Sequence, residues 1–192
     1  MDAVSDAIDA EIGRRVHALR VAADLTLAVL ADRSGVSRAM LSRIERGESS
    51  PTAQLLNRVC AGLGVTLSAL FAVAEAPPSP MRRRKDQTLW RDPGSGYVRR
   101  VVSPPDSGSA MEIIEVEFPA GASVAFESLH PGVDQHIWVL DGAMEITVGD
   151  VTHHLDRGDC LHMRLDRSIG FRNPAGKAAR YAVILARQGA VR

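Results

Sequence analysis

The chain has 192 residues, enough for one large or two small domains, and its 23 basic and 23 acidic side chains balance to a net charge of zero. No apolar run approaches the ~18 residues of a membrane span, and the acidic amino terminus, with Asp2, Asp6 and Asp9, does not resemble a secretory signal. These features predict a cytoplasmic protein. Cys60 and Cys160 fall in different predicted domains without metal-type spacing, so we expect both to be small buried hydrophobic residues in a reducing compartment.

The first third of the chain predicts a compact all-helical domain. Apolar residues recur at helical spacing in five short segments separated by polar turns. These segments are residues 10–22, a helix after Thr26, a helix after Ser37, residues 52–63 and residues 66–72.

Residues 26–47 have the pattern of a helix-turn-helix. Thr26 and Ser37 are candidate N-caps, and Gly35 lies where the first helix must turn through positive φ. Ala31 is small where the two helices would cross, and Gly47 follows the second helix. This is the packing requirement of a helix-turn-helix.

The second helix of the pair has one apolar and one polar side. Leu41 and Ile44 face inward, whereas Arg38, Ser42 and Arg43 face outward. The outward side chains suit a helix that lies in the DNA major groove. Residues 30–37 (Leu-Ala-Asp-Arg-Ser-Gly-Val-Ser) and 41–47 (Leu-Ser-Arg-Ile-Glu-Arg-Gly) resemble the Xre and phage-repressor family of DNA-binding domains.

This resemblance implies roles for individual residues. Base-reading positions fall on the recognition helix, and we predict DNA contacts from Leu27, Ser37, Arg38, Ala39, Ser42 and Arg43. Leu27 stands where relatives often have a phosphate-contacting Gln, so that contact is missing. Arg38 and Arg43 can each bind guanine in a bidentate way, although Arg43 could instead contact phosphate alone. Glu45 is expected to pair with Arg20 rather than with DNA.

In this domain the distribution of charge is more informative than the net charge. Residues 1–73 carry eight arginines and eight acids, but five of the arginines fall between positions 33 and 58, on the expected DNA side, against Glu45 and Glu48. A single copy should therefore bind double-stranded DNA weakly, which implies a homodimer on a near-palindromic operator. Residues 74–86 form a Pro/Arg-rich linker, in which the run 82–85 either reaches a phosphate or is a solvated tether.

Beyond the linker the pattern changes from helical periodicity to alternation. Short apolar segments separated by turn signals predict an antiparallel sandwich or barrel. The segments are residues 97–102, 111–118, 123–126, 136–140, 144–148, 151–155, 160–165, 169–172 and 181–186.

Three strings, Trp138-Val-Leu-Asp-Gly142, Gly158-Asp159 and Phe171-Arg-Asn-Pro174, resemble the cupin family over residues 110–186. The resemblance implies a jelly roll with a pocket between its sheets. It also implies metal-ligand positions, which here are Ser128, His130, Gln135 and Ile169. A single histidine falls short of the three good ligands that zinc or iron needs, so we predict no metal, no cofactor and no catalytic residue. A rearranged site of His130, His162 and a water remains an alternative, and His153 and His154 are expected to be a solvated hairpin pair.

The predicted pocket is lined by apolar and polar side chains that suit a small metabolite: Phe126, His130, Gln135, Trp138, His162 and Met163. The sequence therefore predicts an α+β protein with a five-helix DNA-binding domain (residues 1–73), a linker (74–86) and a cupin-like β-barrel, or jelly roll (87–192). The cupin-like domain is expected to sense a small molecule and to mediate dimerisation. The predicted function is that of a transcriptional regulator that acts as a repressor, and not that of an enzyme. The alternatives are a metal-dependent cupin enzyme fused to a DNA-binding domain and an antitoxin-like protein whose second domain binds a protein.

Overall fold

A computed structural model describes residues 3–71, 79–105, 107, 109–127 and 132–187. The chain divides into two compact units, Met1–Phe71 and Ala72–Arg192. None of the helices in the described ranges is long and apolar enough to cross a membrane.

The first unit is helical, and the five predicted helices are confirmed. They are α1 (Ala3–Ala22), α2 (Leu27–Ser34), α3 (Arg38–Glu45), α4 (Ala53–Leu63) and α5 (Leu67–Phe71). Helix α1 begins seven residues earlier than predicted. Val4 and Ile8 precede Ile12 at four-residue spacing, so following the apolar repeat further towards the amino terminus would have found these roughly two additional turns.

The predicted caps and turn set the α2–α3 geometry. The Thr26 hydroxyl accepts a hydrogen bond from the Val29 amide at 3.2 Å, and the Ser37 hydroxyl accepts one from the Met40 amide at 3.2 Å. Gly35 has φ 63°, in the left-handed region that glycine adopts without a Cβ clash. These local interactions end α2 and begin α3 within three residues, which is the turn that a helix-turn-helix needs.

The core of this unit lies between α1, α2, α3 and α4. Val16, Leu30, Leu41 and Leu56 have no exposed surface. Helix α1 crosses the end of α3 so closely that a Cβ at Gly13 would meet the carbonyl oxygen of Ile44. Close packing here fixes which side of α3 is left for solvent.

The second unit contains ten strands. They are β1 (Leu89–Arg91), β2 (Val98–Val101), β3 (Met111–Phe118), β4 (Ser123–Phe126), β5 (Val133–Asp141), β6 (Ala143–Val148), β7 (Val151–Asp156), β8 (Cys160–Arg164), β9 (Ile169–Arg172) and β10 (Ala179–Arg187). All nine predicted segments are strands. The short β1 was not predicted, because its three residues are too few to show alternation.

The strands form two antiparallel sheets. The large sheet has the order β1-β2-β3-β10-β5-β8, and the small sheet has the order β4-β9-β6-β7. The predicted arrangement of two antiparallel sheets is present. Within the described ranges no strand of one sheet pairs with a strand of the other, so the sheets do not close into a barrel there.

Aromatic side chains fill the space between the sheets. Tyr97 stacks on Phe118 with ring centroids 5.7 Å apart, and Phe171 stacks on Tyr181 at 6.0 Å. Phe118 and Tyr181 connect the two pairs at 6.2 Å. Burial raises the pKa of Tyr97 and of Tyr181, so both phenols stay neutral in the folded protein.

The basic run that follows the prolines contacts the sheet unit. Arg82 donates to the hydroxyl of Thr88 at 2.9 Å, and Arg84 lies 3.5 Å from the carboxylate of Glu115. Arg82 and Arg84 thus have partners within the sheet unit, and a phosphate contact from residues 82–85 stays a prediction.

Candidate nucleic-acid interface and effector pocket

Helix α3 presents a polar surface to solvent. Arg38, Ala39 and Arg43 are exposed, Ser42 is half-buried, and Leu41 and Ile44 are buried on the opposite side. Ser37, at the start of the helix, is also exposed. The structure therefore brings five of the six predicted DNA-contact residues to one exposed region at α3.

Two arginines at the end of α3 are organised by Glu48. Arg43 donates to the backbone carbonyl of Glu48 at 3.3 Å, and Arg46 donates to its carboxylate at 2.7 and 2.6 Å. Arg46 also donates to the hydroxyl of Ser42. The hydrogen bond from Arg46 holds the pKa of Glu48 below its usual value. Sequence reasoning missed Arg46, although its four-residue spacing from Ser42 places both on one side of the helix.

Leu27 is half-buried at the first turn of α2. It lines an open cleft of about 400 Å³ together with Arg20, Asp24, Leu25 and Thr26. A hydrocarbon side chain offers no hydrogen bond there, so Leu27 can contact a phosphate only through its backbone amide.

Arg58 supports the turn and does not add to a free basic surface. Its guanidinium donates to the carbonyl oxygens of Ser34, at 3.1 Å, and Gly35. These are carbonyls at the end of α2 that the helix itself leaves unpaired. The sequence placed five arginines on the DNA side. Arg58 does not belong to this group, because its guanidinium is bound to the backbone at the end of α2.

The predicted pair of Arg20 and Glu45 is confirmed. Arg20 donates to both carboxylate oxygens, at 2.6 and 2.9 Å, and also to the carbonyl of Leu25 at 2.8 Å. His17, not predicted, lies 2.8 Å from the same carboxylate. Burial alone would raise the pKa of Glu45, but the hydrogen bonds from Arg20 and His17 outweigh it and hold the pKa below its usual value. Glu45 thus ties α3 to α1.

In the second unit, alternation along β5 separates the predicted pocket residues. Gln135 and Met163 lie on the inner side, and the Gln135 amide nitrogen is 4.0 Å from the Met163 sulfur. Trp138 is an odd number of residues from Gln135 and is 48% exposed on the outer side. The predicted place of Trp138 in the pocket is corrected, because neighbouring strand residues point to opposite sides.

His162 also lies on the outer side of the large sheet. It pairs with Asp134 at 3.1 Å, and its ring is 4.7 Å from that of His136 on the adjacent strand. Phe126, on the small sheet, is half-buried and packs edge-on against Phe171 at 5.9 Å. His130 and Ser128 lie outside the described residues.

An open cleft of about 350 Å³ is lined by residues of the edge strands β7 and β8, of the end of β6 and of the turn after β8. These residues are Val148, His153, Leu161, His162, Met163, Arg164, Asp166 and Arg167. His153 is half-buried on the inner side of β7, whereas His154 points outward and lies 3.4 Å from Glu145. The expected solvated pair is therefore split between two sides of the strand, and His153 belongs to this cleft.

The two implied metal positions that the structure describes hold residues that do not fit a metal. Gln135 and Ile169 are both buried in the interior, where they supply a neutral amide and a hydrocarbon. Within the described part of the chain, no group of three or more His, Cys, Asp or Glu side chains is placed to hold an ion. We derive no chemistry through a metal.

Comparison with known protein families identifies both units. The helix-turn-helix domain family matches residues 11–71, and the cupin domain family matches residues 114–185. Together the two matches cover more than two thirds of the chain.

Relatives with both units are regulators by name. The chain is 28% identical to the HTH-type transcriptional regulator SutR of Escherichia coli, over 77% of this chain and 79% of that protein. It is 22% identical to the E. coli regulator PuuR, over 88% and 90%.

Solved structures agree with these matches. A crystal structure of an HTH_3 family transcriptional regulator from Vibrio cholerae superposes with a TM-score of 0.80 at 26% identity, covering 96% of this chain and 99% of that one. An iron(II) form of HppE superposes with a TM-score of 0.50 at 15% identity, over 92% and 98%, which shows a shared fold alone. The chain is a helix-turn-helix transcriptional regulator of the Xre type with a carboxyl-terminal cupin domain.

Proposed function

We propose that this regulator represses transcription as a homodimer that binds a near-palindromic operator through α3. The observation that carries the proposal is the exposed side of α3, where Arg38, Ala39 and Arg43 stand clear of the core. Arginine in the major groove can donate two hydrogen bonds to guanine. A two-fold dimer would place two such helices about one DNA turn apart.

Genome-wide mapping of DNA bound by the tagged protein, combined with transcript levels after deletion of its gene, tests this proposal. We expect sharp peaks over promoters and higher transcription of the adjoining genes in the deletion strain. Lower transcription of those genes would make the protein an activator, and the absence of discrete peaks would contradict sequence-specific regulation.

We further propose that the cupin unit is a sensor rather than an enzyme, and that its effector is a small molecule bound in the cleft beside β8. The apolar side chains of Val148, Leu161 and Met163 and the imidazole of His153 give the cleft the mixture that small-molecule sites use. Met163, one of the predicted ligand residues, lines the cleft from the inner side of β8. His162 also borders it, although its imidazole lies on the outer side of the large sheet beside Asp134. Effector binding would change operator affinity through a coupling that is typically ~1–3 kcal/mol.

The neighbouring histidines allow a matched test of the cleft. A library of cellular metabolites is screened by thermal shift, and each hit is titrated into the complex of the protein with operator DNA. We expect His153→Ala to weaken the response to the effector, and His154→Ala, whose side chain points away from the cleft, to leave it unchanged. An equal response of both variants would move the effector to another site.

A further inference from the structure

The two sheets of the cupin unit turn chemically different outer faces to their surroundings. On the small sheet the outer face is polar: Glu145 pairs with Arg172 at 2.7 Å, and the hydroxyls of Thr147 and Thr152 lie 2.9 Å apart. Antiparallel sheets with one face in water show this pattern. The large sheet departs from it.

The outer face of the large sheet is apolar across its centre. Met111 and Ile113 on β3 are 54% and 39% exposed, and Trp138 on β5 is 48% exposed. Between these strands lie Ala182, which is buried, and Ile184, which is half-buried, both on β10 and paired directly with Trp138 and His136. We call this group of five apolar residues, Met111, Ile113, Trp138, Ala182 and Ile184, the apolar face. An exposed patch of this kind marks an interaction site.

We propose that the apolar face is the surface through which two copies of this chain associate. This inference rests on the homodimer of the proposed function and specifies its interface. A second copy is the occupant that the regulator requires, because a single α3 reads one half-site and the DNA-binding unit carries balanced charge. Both copies then use the same patch, as a two-fold interface demands.

The charges around the apolar face are compatible with self-association. Glu115 lies 3.5 Å from Arg84 and 3.8 Å from Arg100, and Asp134 lies 3.1 Å from His162 and 3.8 Å from Arg164. Acidic groups at the rim are thus matched by basic ones. A rim of one sign would repel its own copy.

The size of the sheet is also sufficient. With strands about 4.8 Å apart and residues rising about 3.3 Å each, six strands with central members of eight or nine residues present a face of about 600–700 Å². Stable interfaces of standard size bury roughly 600–1,000 Å² per partner. Trp138, on the β5 side of the apolar face, is one of the residue types that most often dominate such interfaces.

Sedimentation velocity of the full-length protein with the variants Trp138→Arg and Ile113→Asp tests the assignment. Both side chains are exposed, so folding should be preserved, which circular dichroism and thermal melting verify. We expect the wild type to sediment as a dimer and each variant to raise the dissociation constant of the dimer at least about 30-fold. Val151→Arg is the control, because Val151 is 56% exposed on β7 and lies outside the apolar face; it should remain a dimer.

Cys160 provides an independent readout. It is exposed and pairs in register with Trp138, whereas the other cysteine of the chain, Cys60, is buried. In the wild-type dimer we expect Cys160 to react with Ellman's reagent at least about tenfold more slowly than in Trp138→Arg.

The outcomes separate this inference from the proposed function. A wild type that is monomeric at about 50 µM, or variants that remain dimeric with equally protected Cys160, would overturn the assignment of the apolar face. A wild-type dimer that is lost in the variants, but that shows no preference among DNA sequences, would support the apolar face and contradict the proposed function.

Discussion

The helical unit and the cupin unit differ in how a side chain's role follows from its position in the sequence. In the helical unit, inward and outward residues of α3 are set by helical spacing alone, so Glu45 and Arg38 have distinct roles that the sequence predicts. In the cupin unit, Gln135 and Trp138 are three residues apart and lie on opposite sides of β5. The same separation along a helix would place both residues on one side. Residue spacing therefore predicts which side a residue faces only when it is known whether the segment is a helix or a strand.

Glu45→Ala tests the inward role and has the largest expected effect. Removing the carboxylate leaves Arg20, whose side chain is 13% exposed, without its main partner. We expect the helical unit to lose roughly 2–3 kcal/mol, somewhat less than the ~3–5 kcal/mol typical of a fully buried pair. Urea unfolding followed by the helical circular dichroism signal measures this loss.

Glu48→Ala is the matched control, because Glu48 forms an exposed pair with Arg46 and surface pairs contribute little. The account of Glu45 fails if its variant melts like the wild type but no longer binds operator DNA, since Glu45 would then contact DNA.

Arg38→Ala tests the outward role. We expect unchanged melting and an operator affinity lower by about 1–3 kcal/mol, with the base preference relaxed at one position in each half-site. Fluorescence anisotropy with operator and scrambled duplexes measures both effects. Arg14→Ala, an exposed charge loss on α1, is the control. An equal loss on both duplexes would make Arg38 a phosphate contact.

The stability of the helical unit at acidic pH tests the lowered pKa of Glu45. Because the folded-state pKa of Glu45 is lowered, its contribution to stability is present above its unfolded value of 4.5 and is lost as pH falls through the folded pKa. The stability difference between wild type and Glu45→Gln should therefore shrink below about pH 4.5. A difference that stays constant from neutral to acidic pH would rule out the depressed pKa.

The helix-turn-helix could be predicted from the sequence because the interactions that form it join residues close together in the chain. Thr26, Gly35 and Ser37 fix the turn through contacts within three residues, and the Arg20–Glu45 pair follows from family resemblance. Arg46 and Arg58 were misjudged because their partners, Glu48 and the end of α2, depend on how the chain turns after a helix.

The strands of the cupin unit were predictable, but their faces were not. Alternation located nine strands, yet the side occupied by Trp138 and His162 depends on which residues of β5 pair with β8 and β10. A shift of one residue reverses every side chain. Cys160 shows the same limit: it was expected to be buried and is exposed at the edge of the large sheet.

Leu27→Gln tests a smaller effect at the first turn of α2. A glutamine amide would add one hydrogen bond to a DNA phosphate, typically worth ~0.5–1.5 kcal/mol. We expect affinity to rise a few-fold on operator and scrambled DNA alike, because phosphate contacts carry no sequence information. Leu27→Met should leave affinity unchanged. A gain confined to the operator would mean that this position contacts bases.

Chelation has the smallest expected effect. Dialysis against EDTA should leave the melting temperature and operator affinity within error of the untreated protein, because Gln135 and Ile169 occupy two of the implied ligand positions. Softening of the cupin unit on chelation, restored by zinc or iron, would show a metal-stabilised fold and favour the enzyme alternative.

Whether this protein reads DNA as a dimer through α3 can be determined by selecting binding sites from a random duplex pool with the purified full-length protein. We expect inverted repeats whose half-sites lie about 10–10.5 base pairs, or a multiple of this, apart from centre to centre, and a G·C preference in each half-site that Arg38→Ala relaxes. A pool that remains random, or that converges on a single asymmetric site, would contradict a dimeric regulator that reads DNA through α3.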